Sequence, residues 1–304
     1  MDSKMKALEV EIETLSHQGK YEALLPVMIA YAKGIELEYG QDSAEYIAAL
    51  NDLAGVRRDM GIYDEAERDY GQLLDLLNQA VGNQHPNYAT ALNNLAGLYR
   101  LMGEHEKSER AFQETLNIYE KTLGQGHFLY ISGLNNYGLL CQDRKQYQKA
   151  IDLHQQSLDL LKIHDPSNAI AYGTTLNNLA TAHMALGQLQ EAEPLIKECL
   201  AVYESNLGKQ HSLYAYAVNN LATIYQGMKR YDEALACYED AIQICLDTFG
   251  RQSVNYAVAI INKATIYENM GQTTEAKQAY EEAKAVLVPL VGTQHRLYQK
   301  IADK

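Results

Sequence analysis

One spacing governs this chain. Asn-containing tetrads begin at Leu50 (LNDL), Leu92 (LNNL), Leu134 (LNNY), Leu176 (LNNL) and Val218 (VNNL), with a degenerate copy, IINK, at Ile260. Each start follows the last by 42 residues without slippage. Tyrosine keeps the same step at Tyr46, Tyr88, Tyr130, Tyr172, Tyr214, Tyr256 and Tyr298. One glycine series runs Gly19, Gly61, Gly103, Gly187, Gly271, with Lys145 and Lys229 in its remaining slots. Another runs Gly40, Gly82, Gly124, Gly208, Gly250, Gly292, with Pro166 in the missing slot. Several residue types held in phase along a whole chain mean stacked copies of one unit, each burying its apolar face on the next.

The pattern inside the period selects the unit, because propeller blades, three-helix units and two-helix units all have periods near 42. Leu92, Leu95, Ala96 and Tyr99 share one face of a helix, and Gly103 stops it. A second apolar series follows at Ser108, Phe112, Thr115, Leu116 and Tyr119 and ends at Leu123-Gly124. Strand alternation is absent, which excludes a propeller. The register predicts a first helix at 3–17, a turn at Gln18-Gly19-Lys20 and a partner helix at 21–38. Seven antiparallel helix pairs follow, in repeats at 3–39, 44–81, 86–123, 128–163, 168–207, 212–249 and 254–291. A segment at 294–304 caps the last apolar face. The expected domain organisation is one array over 1–304.

Composition bounds the function. Hydrophobic residues at 47% and charged residues at 21% describe a folded chain. No apolar run reaches the roughly 18–20 residues that span a bilayer, and the start, MDSKMKALEVEIE, holds no apolar signal core. No membrane role is expected. Cys141, Cys199, Cys237 and Cys245 form no CxxC pair, which fits a reducing cytoplasm. A net charge of −13 with no basic run disfavours nucleic acid.

Chemical motifs are missing: the sequence contains no GxGxxG, HExxH, GxSxG or DxDxDG. His85, His127, His211 and His295 recur one repeat apart, too far to share a metal through bonds of about 2 Å; they read as loop packing or as hydrogen-bonding groups where first helices begin. His154 and His183 occupy apolar repeat positions and read as core or partly buried, and Cys141 and Cys245 read as core substitutions. The seven phased tyrosines read as covers over the joints between repeats, with their hydroxyls in water. No catalytic residue, metal or cofactor is expected.

At these residues the chain resembles the tetratricopeptide repeat. Leu92, Leu95, Ala96, Tyr99, Gly103, Ser108, Phe112 and Thr115 match its scheme, and the longer unit is similar to the kinesin light chain type. The corresponding line here is Tyr88-Ala89-Thr90-Ala91-Leu92-Asn93-Asn94-Leu95-Ala96, with Gly82-Asn83-Gln84-His85-Pro86 at the loop. The resemblance covers essentially the whole chain. It implies an all-α, right-handed superhelical solenoid, a non-enzymatic scaffold, and first helices lining a concave groove that binds a peptide or helix of a partner protein. Self-association, or service as the regulatory subunit of a separate enzyme, is the alternative.

In that register the second residue of each Asn pair faces the groove, giving a column of Asp52, Asn94, Asn136, Asn178, Asn220 and Asn262. A primary amide offers two donors and an acceptor and could clamp a peptide backbone; bracing of the stack competes evenly with that role. For the first residues, Asn51, Asn93, Asn135, Asn177 and Asn219, bracing is the favoured reading. One turn on come Thr181 and Thr223, and beyond them Arg58 and Arg100. Kinesin light chains read acidic peptides with several basic groove residues, and this chain departs from that pattern. A peptide of mixed charge is expected, its acidic end toward Arg58 and Arg100.

Overall fold

The computed structural model describes residues 3–17, 20–293 and 295–304. The predicted turn at Gln18-Gly19 and the start of the terminal segment at Gln294 lie outside the described residues. Among the described residues the secondary structure is entirely helical. First helices of each pair are α1 (Ser3–His17), α3 (Ala44–Asp59), α5 (Pro86–Met102), α7 (Phe128–Asp143), α9 (Ala169–Ala185), α11 (Ser212–Gly227) and α13 (Val254–Asn269). Second helices are α2 (Tyr21–Tyr39), α4 (Tyr63–Val81), α6 (His105–Leu123), α8 (Tyr147–His164), α10 (Leu189–Leu207), α12 (Tyr231–Phe249) and α14 (Thr273–Val291). A short α15 (Arg296–Ile301) follows. The chain divides into two compact units, 1–146 and 147–304, each considered by itself below.

Caps set the boundaries. The imidazoles of His85, His127, His211 and His295 do begin first helices: each Nδ1 accepts a hydrogen bond from the backbone N–H two residues on, at 3.1–3.2 Å. Ser43 and Ser253 do the same work with Oγ, accepting from Tyr46 and Tyr256 at 3.2 Å. All of them occupy one place in the period, where an acceptor must meet an orphan helix N–H.

The two glycine series differ in conformation, which explains their different tolerance. Between first and second helices Gly103 is left-handed, φ 77°, ψ 8°. A side chain can enter that region at a cost, and Lys145 and Lys229 do so at φ 59° and 61°. After the second helix Gly82 has φ 83°, ψ 158°, a region essentially restricted to glycine. No other residue keeps that shape. The Pro166 copy leaves α8 at His164 instead and starts α9 from an Asn168 cap.

Small residues bring the helices of a pair together. Ala54 and Ala66, Ala180 and Ala192, and Ala222 and Ala234 are fully buried at the same two places in the period. In the third copy the second of these is Ser108, whose Oγ donates to the Ala96 carbonyl at 2.8 Å. A larger side chain at either place would force the axes apart. Larger residues fill the joints: Leu50, Leu53, Tyr70 and Leu73 in the first unit, Leu221, Ile224, Tyr238 and Ile266 in the second. At the C-terminal end α15 lays Ile301, which is 2% exposed, among Val286, Leu287 and Ile260.

Candidate functional site

The Asn pairs are hydrogen-bonded to one another across repeats. The Nδ2 of Asn94 donates to Asn51 Oδ1 at 3.0 Å, and that of Asn136 to Asn93 Oδ1 at 3.3 Å. In the second unit Asn220 donates to Asn177 at 2.8 Å and Asn262 to Asn219 at 2.7 Å. Each rung joins the second Asn of one repeat to the first Asn of the repeat before it. Bracing therefore involves both residues of the pair. The sequence signal for it is the pair itself, since a first Asn that only accepts needs a second that donates. A rung uses one N–H of the donor amide and leaves its other N–H and its oxygen. Asn220 and Asn177 are nearly buried at 7% and 6% exposed; Asn94, Asn136, Asn178 and Asn262 are half-buried. Asp52 stands where a donor would be and instead accepts from Asn51 Nδ2 at 3.3 Å.

The threonines are engaged within their own repeats. Thr181 Oγ1 donates to the Asn178 carbonyl at 2.8 Å. Thr223 Oγ1 donates to the Asn219 carbonyl at 3.0 Å and lies 3.3 Å from the Tyr238 hydroxyl. Tyr238 is deeply buried, and burial pushes its phenol pKa up while Thr223 draws it back.

In the first unit the predicted residues converge. Arg58, Asn94, Arg100 and Asn136 line one concavity of about 260 Å³, together with Asp59 and Asn93. Both guanidinium groups have a carboxylate neighbour: Arg58 Nη2 lies 2.8 Å from Asp59 and Arg100 Nη1 lies 2.7 Å from Asp143. Such half-exposed pairs contribute about 0–1 kcal/mol, so a ligand carboxylate can displace either partner. Arg58 and Arg100 thus supply donors on the same floor as two amides. Asn178, Thr181, Asn220, Thr223 and Asn262 belong to the second unit and do not line this concavity.

The phased tyrosines are more engaged than the sequence suggests. Tyr46, Tyr130 and Tyr256 are buried. Where Tyr172 and Tyr256 were expected to keep their hydroxyls in water, they donate to Glu198 and Glu282 at 2.5 and 2.7 Å, while Tyr46 accepts from Gln72 at 3.3 Å. All three partners lie 26 residues on, one helix away. Burial, then the glutamate bond, pushes the Tyr172 and Tyr256 phenols up to about 12. Cys141, Cys199 and Cys245 are buried, and burial pushes the Cys199 and Cys237 thiols up to about 12 and 11, away from thiolate chemistry. Among the described residues no three His, Cys, Asp or Glu side chains gather as a metal site, and no helix is long and apolar enough to cross a membrane.

Family comparison agrees with the helix-pair geometry. Models described as tetratricopeptide repeat match residues 45–121, 90–163 and 213–287, and a second one matches 173–213. The chain belongs to the tetratricopeptide repeat family. Members of this repeat family serve as protein–protein interaction scaffolds. No curated protein sequence matches this tetratricopeptide repeat chain. Several solved structures are similar in fold. One holds the nearly identical repeats of a putative kinesin light chain of Podosopora anserina: TM-score 0.61, 23% identity, 67% of this chain and 97% of that one. Another is BtubC (BKLC) from P. vanneervenii: TM-score 0.60, 20% identity, 82% and 92% coverage. A third is a tetratricopeptide repeat protein from Parabacteroides merdae: TM-score 0.58, 16% identity, 99% and 98% coverage. The kinesin light chain type expected from the repeat length is thus represented among its structural neighbours.

Proposed function

We infer that this protein is a non-enzymatic scaffold that binds an extended segment of a partner protein along its first helices, with the acidic end of that segment at Arg58 and Arg100. One observation carries the reading: two guanidinium groups and two half-buried amides from successive repeats converge on one concavity. The amides of Asn94 and Asn136 brace the stack with one N–H and can meet a peptide backbone with the rest. The guanidinium groups meet a carboxylate with paired N–H donors. Within the second unit Asn178, Asn220 and Asn262 would offer equivalent amides, with the half-buried Asn178 and Asn262 contributing more than Asn220. Self-association through the C-terminal face has less support, because α15 covers it.

Displayed-peptide selection on the wild type, followed by affinity measurement on an Arg58→Ser/Arg100→Ser variant, tests this. Selected peptides should share an acidic end and lose at least about tenfold in affinity, the effect of one charge-assisted contact. The melting temperature should stay within about a degree or two, since half-exposed ion pairs of this kind contribute about 0–1 kcal/mol. Peptides that bind both proteins equally, or no enrichment at all, would refute the reading.

A further inference from the structure

Two further cavities lie at equivalent places in the period, one in each unit. The first, about 390 Å³, is lined by Ala48, Asn51, Leu73, Leu77, Thr90 and Ala91, and by Asp42. The second, about 480 Å³, is lined at the matching positions by Tyr216, Asn219, Ala241, Cys245, Val258 and Ala259. Both fall in the size range of small-ligand sites. Each is walled by a first helix, its partner second helix and the next first helix.

The chain itself shows what fits there. One repeat after Leu77 the same position is Tyr119, and one repeat before Cys245 it is Tyr203. Tyr119 is 1% exposed, and its hydroxyl lies 2.8 Å from Thr90 Oγ1, at the place matching Ala48. A Cβ added at Gly133, which matches Ala91, would lie 3.9 Å from its ring. Tyr203 is 2% exposed and 3.0 Å from Thr174 Oγ1, which matches Tyr216. A Cβ at Gly173 would come within 2.7 Å of the Tyr203 ring. The Tyr119 phenol thus reaches from its second helix to the first helix at Thr90 and to the next first helix beside Gly133, and the Tyr203 phenol lies against its own first helix at Gly173 and Thr174. At Leu77 and Cys245 the shorter side chains leave the same space open to solvent, and Tyr216 points outward at 56% exposure.

We propose that the cavities at Leu77 and Cys245 are sockets for tyrosine side chains of the bound partner, which take the place that Tyr119 and Tyr203 hold in neighbouring repeats. The ring would meet Leu73, Leu77 and Ala91 in the first socket, and the hydroxyl would find Asn51 or Thr90. In the second, Asn219 offers the polar contact. Charge selects the flanking residue: Asp42 lines the first socket and no basic side chain lines either. A lysine or arginine beside the tyrosine therefore suits the first socket. The proposal deepens the groove reading above and rests on it, but it uses different residues from the Arg58–Arg100 concavity. Either can fail alone.

The test is methyl NMR of the full chain titrated with N-acetyl-tyrosinamide, against N-acetyl-leucinamide. Saturable shifts are expected at Ala48, Leu73, Leu77 and Ala91 and at Ala241 and Ala259, with the leucine probe at least fivefold weaker. A Leu77→Tyr/Ala48→Thr variant rebuilds the Tyr119–Thr90 arrangement and should abolish shifts at the first socket while keeping those at the second. Leu77→Phe serves if the double variant does not fold. Acetyl-Arg-Tyr-amide should bind the first socket several-fold more tightly than acetyl-Glu-Tyr-amide. Equal affinity for the leucine probe, shifts that persist in the filled variant, or shifts scattered without saturation would overturn the sockets. The reverse order of the two dipeptides would overturn the assignment of the flanking charge.

Discussion

His154 stands where the other second helices carry Met28, Tyr70, Phe112, Ile196, Tyr238 and Tyr280, and it is fully buried. Burial lowers its pKa from 6.5 to about 4. A folded-state pKa below the unfolded value means that the unfolded chain takes up the proton first. Stability is then complete above about pH 6.5, declines as the pH falls toward 4, and levels off below that. The decline amounts to about 3 kcal/mol. His154→Phe should remove most of it, so that urea midpoints measured from pH 7 to 5 run flatter than those of the wild type. His154 was legible from the sequence as core, because the period places it. The Asn rungs were legible only in part. Their spacing marked the positions, but a spacing cannot say whether an amide meets a ligand or another amide. That depends on the offset between stacked helices, which brings residue i next to i+43.

At the scale of the helix pair, the turns separate what the period requires from what it only prefers. Lys229 sits at φ 61°, where its Cβ costs about 1–2 kcal/mol relative to glycine. Glycine would return up to about 1 kcal/mol of that through the greater freedom of the unfolded chain. Lys229→Gly should therefore stabilise the protein by about 0.5–1 kcal/mol, read as a raised midpoint in chemical denaturation. Helix ends were well marked in the sequence because caps and glycines are local features. The pairing of Thr223 with the buried phenol of Tyr238, repeated one period on where Thr265 Oγ1 lies 3.3 Å from the Tyr280 hydroxyl, was not, since a threonine on the groove side of a helix reads as ligand-facing until the partner helix is in place. The sockets at Leu77 and Cys245 were hidden for the same reason: a cavity is a property of three helices, and each lining residue alone is an ordinary core residue.

For the molecule as a whole, a repeat array gains stability from each joint and has its weak points at the ends. The last joint is covered by α15, through Ile301, Leu297 and Tyr298 packed near Val286 and Leu287. Lys304 Nζ adds a contact at 2.9 Å to Glu268, whose carboxyl it holds below the usual range. Ile301→Asp should lift this cover and expose the apolar face of α14. Sedimentation velocity should then show stronger concentration-dependent association than the wild type under the same conditions, with unit 147–304 losing stability first. Helix content and period were readable across the whole chain because every copy repeats the statement. The division into units at 146/147 was not, for no change in composition marks it.

The direction of the Asn rungs has a consequence for how such a chain can grow. In each one the later repeat donates and the earlier accepts. A duplicated interior block, such as residues 212–253, carries one acceptor in Asn219 and one donor in Asn220, so both new junctions would be chemically identical to the old ones. Lengthening from within requires no matching change elsewhere. Two copies do not share this freedom: in the one at 44–81 Asp52 has no amide N–H to donate backward, and in the one at 254–291 Ile261 has no side-chain oxygen to offer forward. Copying an interior repeat that holds both asparagines would thus lengthen the array with rungs identical to those already present, whereas copying either of these two would not.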